Sequence, residues 1–339
     1  MDHRAIGKLG RTGLSVTALG FGATAIGGMY EEVSGAQASA TVAAAWDQGI
    51  RLFDAAPQYG LGLGEMRLGA GLAGRPRGEY VLSSKVGRLL RADAPPNPDD
   101  FGPDGLPFDK GTPDVATVYD YSRDGVLASI EESLARLGQD RLDIVYVHDP
   151  DNHVPEALAG AFPTLLELRE QGVIRAVGAG MNQTAALETF ARETDPDVFL
   201  LAGRYTLLEQ EPLNTFLPLC EQRGIAVIVG GAYNSGLLAD PGPGTHYNYL
   251  PAPQPLIDRA RQLQAICARH DVPLKAAAIQ FPVAHPAVAA VLTGSRRAAE
   301  LTENCALFDR PIPADLWSEL RAAGLLDERA PVPGEAAPA

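Results

Sequence analysis

Four polar residues follow the ends of apolar, strand-like runs and could together move a proton. Asp54 ends the second such run, and Tyr59 lies in the loop just after it. Lys85 ends the third run and His148 the fourth. A free phenol has a pKa of about 10 and is a weak acid or base at neutral pH, so a catalytic tyrosine needs help. A nearby Lys85 ammonium would favour the tyrosinate, and Asp54 would hold the lysine and keep it charged.

Each of these positions also has a purely structural explanation. Tyr59 could pack on the surface of a turn, Lys85 could extend its ammonium to solvent, and His148 could be a hydrogen-bonded rim residue. The catalytic interpretation requires that the strand ends meet at one pocket, as they do at one face of a barrel. His148 would then orient a substrate oxygen, and the set would form a hydride-transfer site with a proton relay.

The alternation of short apolar runs with helix-like segments predicts the elements that would position these residues. Because the strands are mostly apolar, both faces of a parallel sheet should be covered. Eight strands favour an α/β fold of the (β/α)8 TIM barrel type over a doubly wound open sheet, which would alternate in the same way. The predicted strands are 16–21, 51–54, 80–85, 142–147, 174–178, 198–201, 225–229 and 287–292, and the helices between them include 35–48, 122–137, 155–170, 184–193, 212–223 and 254–270.

Two regions depart from this alternation. Residues 88–121 form a Pro-, Gly- and Asp-rich loop after the third strand, and so long a loop is usually functional or disordered. In a barrel it would follow a strand's C-terminal end and could cover a substrate pocket. An extra C-terminal helix is predicted at 313–323. We therefore expect a single barrel domain over residues 1–325 and a flexible tail over 326–339.

Composition limits the partners and the compartment. With 42 acidic and 28 basic residues, the formal charge of −14 argues against nucleic-acid and anionic-membrane partners, which need clustered Lys and Arg. The three cysteines are widely spaced and are expected to be reduced thiols. The N-terminus has no signal-peptide pattern, and no run approaches about 18 apolar residues, so we expect a cytoplasmic protein. The sequence leaves its oligomeric state open.

Several stretches resemble the aldo-keto reductase family between about Leu9 and Asn304. The resemblance implies a (β/α)8 barrel, a nicotinamide cofactor and a catalytic tetrad at Asp54, Tyr59, Lys85 and His148. The stretches that carry it are residues 19–24, 49–54, 133–138, 172–178 and 293–295.

The same resemblance implies a set of cofactor contacts, with three departures from the family pattern. Met181 precedes Asn182 where the family usually has serine, Ala202 replaces a glutamine, and Gly230 or Gly231 replaces the aromatic ring that commonly stacks on the nicotinamide. The implied contacts are Gly22, Ala23, Thr24, Asp54, Asn182, Ser235, Gly236, Leu238, Gly294, Ser295, Arg296 and Asn304.

The choice between NAD and NADP stays open, with a slight preference for NAD. Arg296 and Arg297 could clamp a 2′-phosphate or stack on adenine. Residues 119–126, 147–151, 202–210 and 233–238 resemble a bacterial subgroup with L-fucose dehydrogenase, D-threo-aldose 1-dehydrogenase and pyridoxal 4-dehydrogenase-like members. That resemblance implies oxidation of an aldose at C1 to a lactone, with Tyr59 as general acid/base.

Other readings remain. The substrate could be pyridoxal or a broad range of aldehydes and ketones, and the chain could be a non-catalytic or slow cofactor sensor of the potassium-channel β-subunit type. A metal-dependent hydrolase is disfavoured because no histidine cluster has ligand spacing, so no metal is expected. Asp149 and Asp151 could bind sugar hydroxyls or cap the helix that follows them.

Overall fold

The computed structural model describes residues 1–102 and 105–335. Pro103 and Asp104, in the Pro- and Gly-rich insertion, lie outside the described residues, and so do residues 336–339 of the expected flexible tail. The mobility of that tail stays a prediction.

Eight parallel strands close into a barrel, so the (β/α)8 fold is confirmed and the open sheet is wrong. Closure depends on the pairing of the last barrel strand with the first, in which Val291 lies opposite Leu19 and Gly294 opposite Gly22. The strands are β1 (Leu19–Gly22), β2 (Leu52–Asp54), β3 (Val81–Val86), β4 (Ile144–His148), β5 (Ala176–Met181), β6 (Val198–Ala202), β7 (Ala226–Gly230) and β8 (Val288–Gly294).

Helices surround the barrel, and their ends follow local signals. Ser122 accepts a hydrogen bond from the Gly125 backbone N–H and begins one helix, while Gly138 ends it in a left-handed conformation. No helix in the described part of the chain has the length and apolarity needed to cross a bilayer. The main helices are Gly35–Asp47, Leu63–Leu72, Arg123–Leu137, Phe162–Glu170, Thr184–Glu193, Phe216–Arg223, Gln254–Arg269, Leu274–Gln280, Ala298–Asp309 and Ala314–Ala322.

The first predicted strand is divided in the structure. Its first part, Ser15–Thr17, pairs antiparallel with Ile6–Lys8, and only Leu19–Gly22 enters the barrel. Leu14 and Val16 of this hairpin are buried in one apolar cluster with side chains from β2 to β8. The hairpin thus closes the end of the barrel opposite the C-terminal strand ends, and an apolar run alone could not distinguish these two uses.

The insertion at 88–121 contains regular structure. Arg88–Arg91 pairs antiparallel with Ala116–Tyr119, and a short 3-10 helix, Pro98–Asp100, lies between them. Asn97 begins that helix and also donates a hydrogen bond to the Thr117 carbonyl at 3.1 Å. The insertion follows β3 at its C-terminal end and lines the cavity there.

The C-terminal helix Ala314–Ala322 agrees with the predicted one within a residue at each end. Its Trp317 is 1% exposed and packs near Phe281, so the indole belongs to the core. After the helix, Val332 is also buried, and Arg321 forms an ion pair with Glu335 at 2.7 Å.

Gly69 tests how closely the helices must pack. A methyl group at Gly69 would lie 2.1 Å from the Leu137 carbonyl oxygen of the neighbouring helix. Alanine favours helix formation by about 1 kcal/mol over glycine, but overpacking costs about 1 to 3 kcal/mol. We therefore expect Gly69→Ala to lower the free energy of unfolding, measured by urea denaturation.

The control is Gly78→Ala, because a methyl group at Gly78 meets nothing within 4 Å. That variant should unfold at the same urea concentration as the parent protein or at a slightly higher one, because alanine loses less backbone entropy on folding than glycine. A Gly69→Ala protein as stable as the parent would show that the two helices separate at little cost.

Candidate active site

The C-terminal ends of the barrel strands and the loops after them enclose a cavity of about 830 Å³. The four residues of the expected catalytic tetrad all line it, as do most of the expected cofactor contacts. The predicted site residues at its surface are Gly22, Thr24, Asp54, Tyr59, Lys85, His148, Asn182, Ser235, Gly236, Gly294, Arg296 and Asn304.

Three expected cofactor contacts do not line the cavity. Ala23 is fully buried, and its backbone N–H donates to the Asp54 carbonyl at 2.8 Å. Leu238 is also fully buried, and its N–H donates to the Tyr233 carbonyl. Ser295 is 1% exposed and accepts a hydrogen bond from the Asn304 amide at 3.3 Å.

Lys85 and Asp54 form a buried ion pair at the base of the cavity. Lys85 Nζ lies 2.6 Å from Asp54 Oδ2 and also donates to the Ala55 carbonyl at 2.9 Å. The second carboxylate oxygen accepts from Ser83 Oγ at 2.7 Å. Burial is the largest single effect and lowers the pKa of Lys85, but the charge of Asp54, the hydrogen bond to Asp54 and nearby Tyr59 together outweigh it and raise that pKa above its usual range. The lysine is therefore charged at neutral pH.

Strand register brings the two charges together. Asp54 of β2 lies opposite Ser83 of β3, and Lys85 is two residues farther along β3. Alternate residues of a strand point to the same face, so Ser83 and Lys85 both face the barrel interior near Asp54.

Tyr59 lies above this pair. Lys85 Nζ is 4.6 Å from the centre of the tyrosine ring. Burial raises the pKa of Tyr59, and the opposing effect of Lys85 is smaller. At rest the phenol therefore keeps its proton, although Lys85 lowers the cost of losing it.

The loop that carries Tyr59 is held by its neighbours. Gly60 has φ +63° and lies against the Gly27 backbone so closely that a methyl group would be 2.1 Å from the Gly27 carbonyl oxygen. The Gly60 N–H donates to Asp109 Oδ2 at 3.0 Å. Burial raises the pKa of Asp109 to about 6. The insertion after β3 thus helps to fix the Tyr59 loop.

His148 ends β4 and faces Tyr59 across the cavity. The two rings lie edge to face, with centres 5.6 Å apart. The imidazole is 5% exposed, and burial, together with the nearby charges of Arg88 and Lys85, holds the pKa of His148 well below its usual value. Its Nε2 lies 3.5 Å from Asp149 Oδ2, whereas Nδ1 has no hydrogen-bond partner among the described residues. A neutral imidazole offers one donor and one acceptor.

This arrangement suits proton exchange with one substrate oxygen. A phenol and a neutral imidazole face the same space, and a fixed ammonium below the phenol stabilises negative charge on it.

Comparisons with known proteins agree with this geometry. The model of the Aldo/keto reductase family matches residues 18–324. The chain belongs to this family. It is 45% identical over 320 residues to a D-threo-aldose 1-dehydrogenase from Pseudomonas sp, covering 93% of this chain and 96% of that protein. It is 43% identical over 339 residues to the pyridoxal 4-dehydrogenase of Microbacterium luteolum, covering 94% and 97%.

Solved structures give the same assignment. The holo form of an aldo-keto reductase from Bacillus halodurans superposes with a TM-score of 0.72 at 25% identity, covering 97% of this chain and 98% of that one. Together with relatives that are dehydrogenases, the family makes this chain an oxidoreductase enzyme, and the alternative of a non-catalytic sensor is not supported.

The residues at the three positions that depart from the family pattern all line the cavity: Met181, Ala202, Gly230 and Gly231. The Asn182 amide donates to the Ala202 carbonyl at 2.7 Å, so the asparagine is held although no glutamine is present. Gly231 has φ +64° and packs beside Gly203. Tyr233 also lines the cavity, and its hydroxyl donates to Asn304 Oδ1 at 2.9 Å.

Sequence reasoning missed several residues that line the cavity. Arg88 and Asp109 lie in the insertion, whose composition gave no hint of which side chains turn inward. Phe108 and Tyr249 come from two different loops, and their ring centres are 5.7 Å apart. Only long-range contacts could have identified them, because neither loop has a periodic pattern.

The structure also brings together Asp2, His3 and Asp309, which come from the two ends of the chain and are not part of the tetrad. Both ring nitrogens of His3 are already used, one with Asp309 Oδ2 at 2.7 Å and one with the Gln48 carbonyl at 2.8 Å. We interpret this cluster as a tether between the N-terminus and the last barrel helix.

The environment of His148 leads to a test by NMR. Because burial disfavours the charged form, we expect the His148 ring to stay neutral through the pH range around 6.5, in which an ordinary histidine gains its proton. Side-chain 15N shifts of labelled protein report the protonation state, and His148→Gln assigns the signal. The urea-unfolded chain is the control, and a midpoint near its value for His148 would contradict this account.

Proposed function

We propose that this enzyme oxidises C1 of an aldose to a lactone, with NAD as the hydride acceptor and Tyr59 as the general acid/base. The proposal rests on one observation above all: the charged Lys85–Asp54 pair lies directly below Tyr59, with neutral His148 facing it. The D-threo-aldose 1-dehydrogenase relative supports a sugar substrate.

Tyr59 would take the proton from the anomeric hydroxyl during oxidation and return it during carbonyl reduction. Because the resting phenol is protonated, it must first release a proton for oxidation, and Lys85 stabilises the tyrosinate that results. His148 would donate a hydrogen bond to the same substrate oxygen. Asp54 holds Lys85 in place and balances its charge.

The cavity fits a dinucleotide. It extends from Tyr59 past Gly236 to Arg296 and Asn304. A methyl group at Gly236 would meet nothing within 4 Å, so the backbone there is open to close approach. A bound nicotinamide would supply the hydride-accepting carbon. The chain would orient it through Asn182 and bind its distal half near Arg296.

Two carboxylates near Arg296 favour NAD over NADP. Glu31 lies 2.6 Å from Arg297 and 3.8 Å from Arg296 Nε, and Glu300 accepts from the Arg296 backbone N–H at 2.8 Å. The Arg297 guanidinium is thus already paired, Arg296 lies beside the same carboxylate, and a 2′-phosphate would meet negative charge there.

Pyridoxal is the second candidate substrate, because a pyridoxal 4-dehydrogenase is 43% identical to this chain and aromatic Phe108 and Tyr249 line the cavity. We also propose that the enzyme is cytoplasmic and that its partner is its small-molecule substrate.

The first experiment pairs substrate assays with Tyr59→Phe. The parent protein with NAD⁺ should form reduced cofactor with L-fucose or D-arabinose. Loss of the phenol should lower kcat by about 10² or more, the usual scale of acid–base catalysis, while cofactor affinity measured by fluorescence quenching persists.

Tyr80→Phe is the matched control, because Tyr80 is a buried tyrosine that does not line the cavity. If the parent protein is active with pyridoxal and with neither sugar, pyridoxal replaces the aldose as the proposed substrate. Undiminished turnover in Tyr59→Phe would rule out its role as acid/base.

The cofactor preference is tested with Glu31→Gln. Removing this charge should raise kcat/KM for NADP⁺ relative to NAD⁺ by about threefold, since exposed charges contribute about 1 kcal/mol or less. The gain should shrink as salt is added.

Glu32→Gln removes the same charge one residue away and should leave the ratio unchanged. A parent enzyme that prefers NADP⁺ would overturn the assignment of NAD.

A further inference from the structure

Asp149 and Arg88 form an ion pair at the cavity wall that the tetrad does not use. Asp149 Oδ2 lies 3.3 Å from an Arg88 guanidinium nitrogen, and both residues line the cavity. Arg88 is 6% exposed, and its Nε and its other terminal nitrogen have no partner among the described residues. A buried arginine with unused donors is costly, so this pair requires an explanation beyond stability.

The backbone at Asp149 is also strained. Asp149 has φ +39° and is followed by Pro150. Its N–H donates to the Gly180 carbonyl of β5 at 3.0 Å, which holds this conformation. Strained non-glycine residues concentrate at functional sites, where the surrounding structure maintains them.

Helix capping does not explain Asp149. The helix Val154–Glu156 begins after His153, and no side chain caps it. Asp151 does not line the cavity. Of the two carboxylates considered from the sequence, only Asp149 therefore faces substrate space.

The position of Asp149 relative to His148 indicates which substrate group it meets. Its Oδ2 lies 3.5 Å from His148 Nε2. In the proposed function, His148 and Tyr59 face the oxygen on the reacting carbon. The oxygen on the adjacent carbon of a sugar is about one hydrogen-bond length from that oxygen, and so falls within reach of Asp149.

No hydrogen bond from the described residues reaches Asp149 Oδ1, whereas Oδ2 faces Arg88. A carboxylate can accept several hydrogen bonds, and hydrogen bonds to a charged acceptor are the stronger kind. The free oxygen can therefore accept from a substrate hydroxyl while Arg88 holds the other.

We propose that Asp149, positioned by Arg88, is a specificity-determining residue that accepts a hydrogen bond from the hydroxyl next to the reacting carbon. This inference rests on the proposed function. It defines the preferred substrates as compounds with an oxygen on both carbons: aldoses with a C2 hydroxyl, and α-hydroxy aldehydes in the reverse reaction.

The test compares two sugars in two variants. D-Arabinose carries the C2 hydroxyl, and 2-deoxy-D-ribose lacks it. Asp149→Asn removes the charge, and asparagine tolerates positive φ. Asp149→Gly removes the side chain, and glycine relieves the strain. We expect kcat/KM for D-arabinose to fall by about 10-fold in the first variant and about 10- to 100-fold in the second.

For 2-deoxy-D-ribose, kcat/KM should change by less than about twofold in both variants, since the lost contact does not exist for this sugar. The KM for NAD⁺ should not change. Asp151→Asn removes a neighbouring charge outside the cavity and should alter neither sugar. Equal losses for both sugars would assign Asp149 a structural role, and no loss for D-arabinose would overturn the contact.

Failure of the proposed function gives a different result. If the parent oxidises neither sugar, reduction of glycolaldehyde and of acetaldehyde with NADH makes the same comparison with and without the neighbouring hydroxyl. An effect of Asp149→Gly confined to glycolaldehyde would support the inference even though the sugar assignment fails. A parent inactive on all four compounds would overturn both.

Discussion

The buried ion pair between Lys85 and Asp54 is the constraint on which the rest of the site depends. Removing two charges from water costs several kcal/mol for each ion unless their pairing is close and their remaining hydrogen bonds are made. Here the pair is 2.6 Å apart, and Ala55 and Ser83 complete it. Adjacent strands in the correct register are therefore required, because a one-residue slip would turn Lys85 away from Asp54.

The reacting groups next to this ion pair are neutral. Burial disfavours the charged form of both groups, so it raises the pKa of Tyr59, whose charged form is an anion, and lowers the pKa of His148, whose charged form is a cation. The loop of Tyr59 reaches its position only because Gly60 lies directly on the Gly27 backbone. The Arg88–Asp149 pair then places a second charge pair at the cavity wall, one residue beyond the histidine.

Much of the fold followed from local pattern. All eight strands were found, because apolar runs flanked by helix-like segments are typical of a parallel sheet covered on both faces. The run at 16–21 was harder, since it serves both a hairpin under the barrel and β1 itself. The hairpin in the insertion was not predicted, because its strands, Arg88–Arg91 and Ala116–Tyr119, are separated by a stretch with no periodicity.

The sequence by itself predicted the barrel class and the family, and it placed the four candidate catalytic residues at or just beyond strand ends, because residue type and local periodicity carry these signals. Only the tertiary structure decided that the barrel closes through β8 and β1, that Arg88 pairs with Asp149, and that Glu31 neutralises Arg297. The physical reason is that local periodicity records which residues are buried. It does not record which loops meet, and the charge state of a buried group depends on those distant partners and on the loss of water around it.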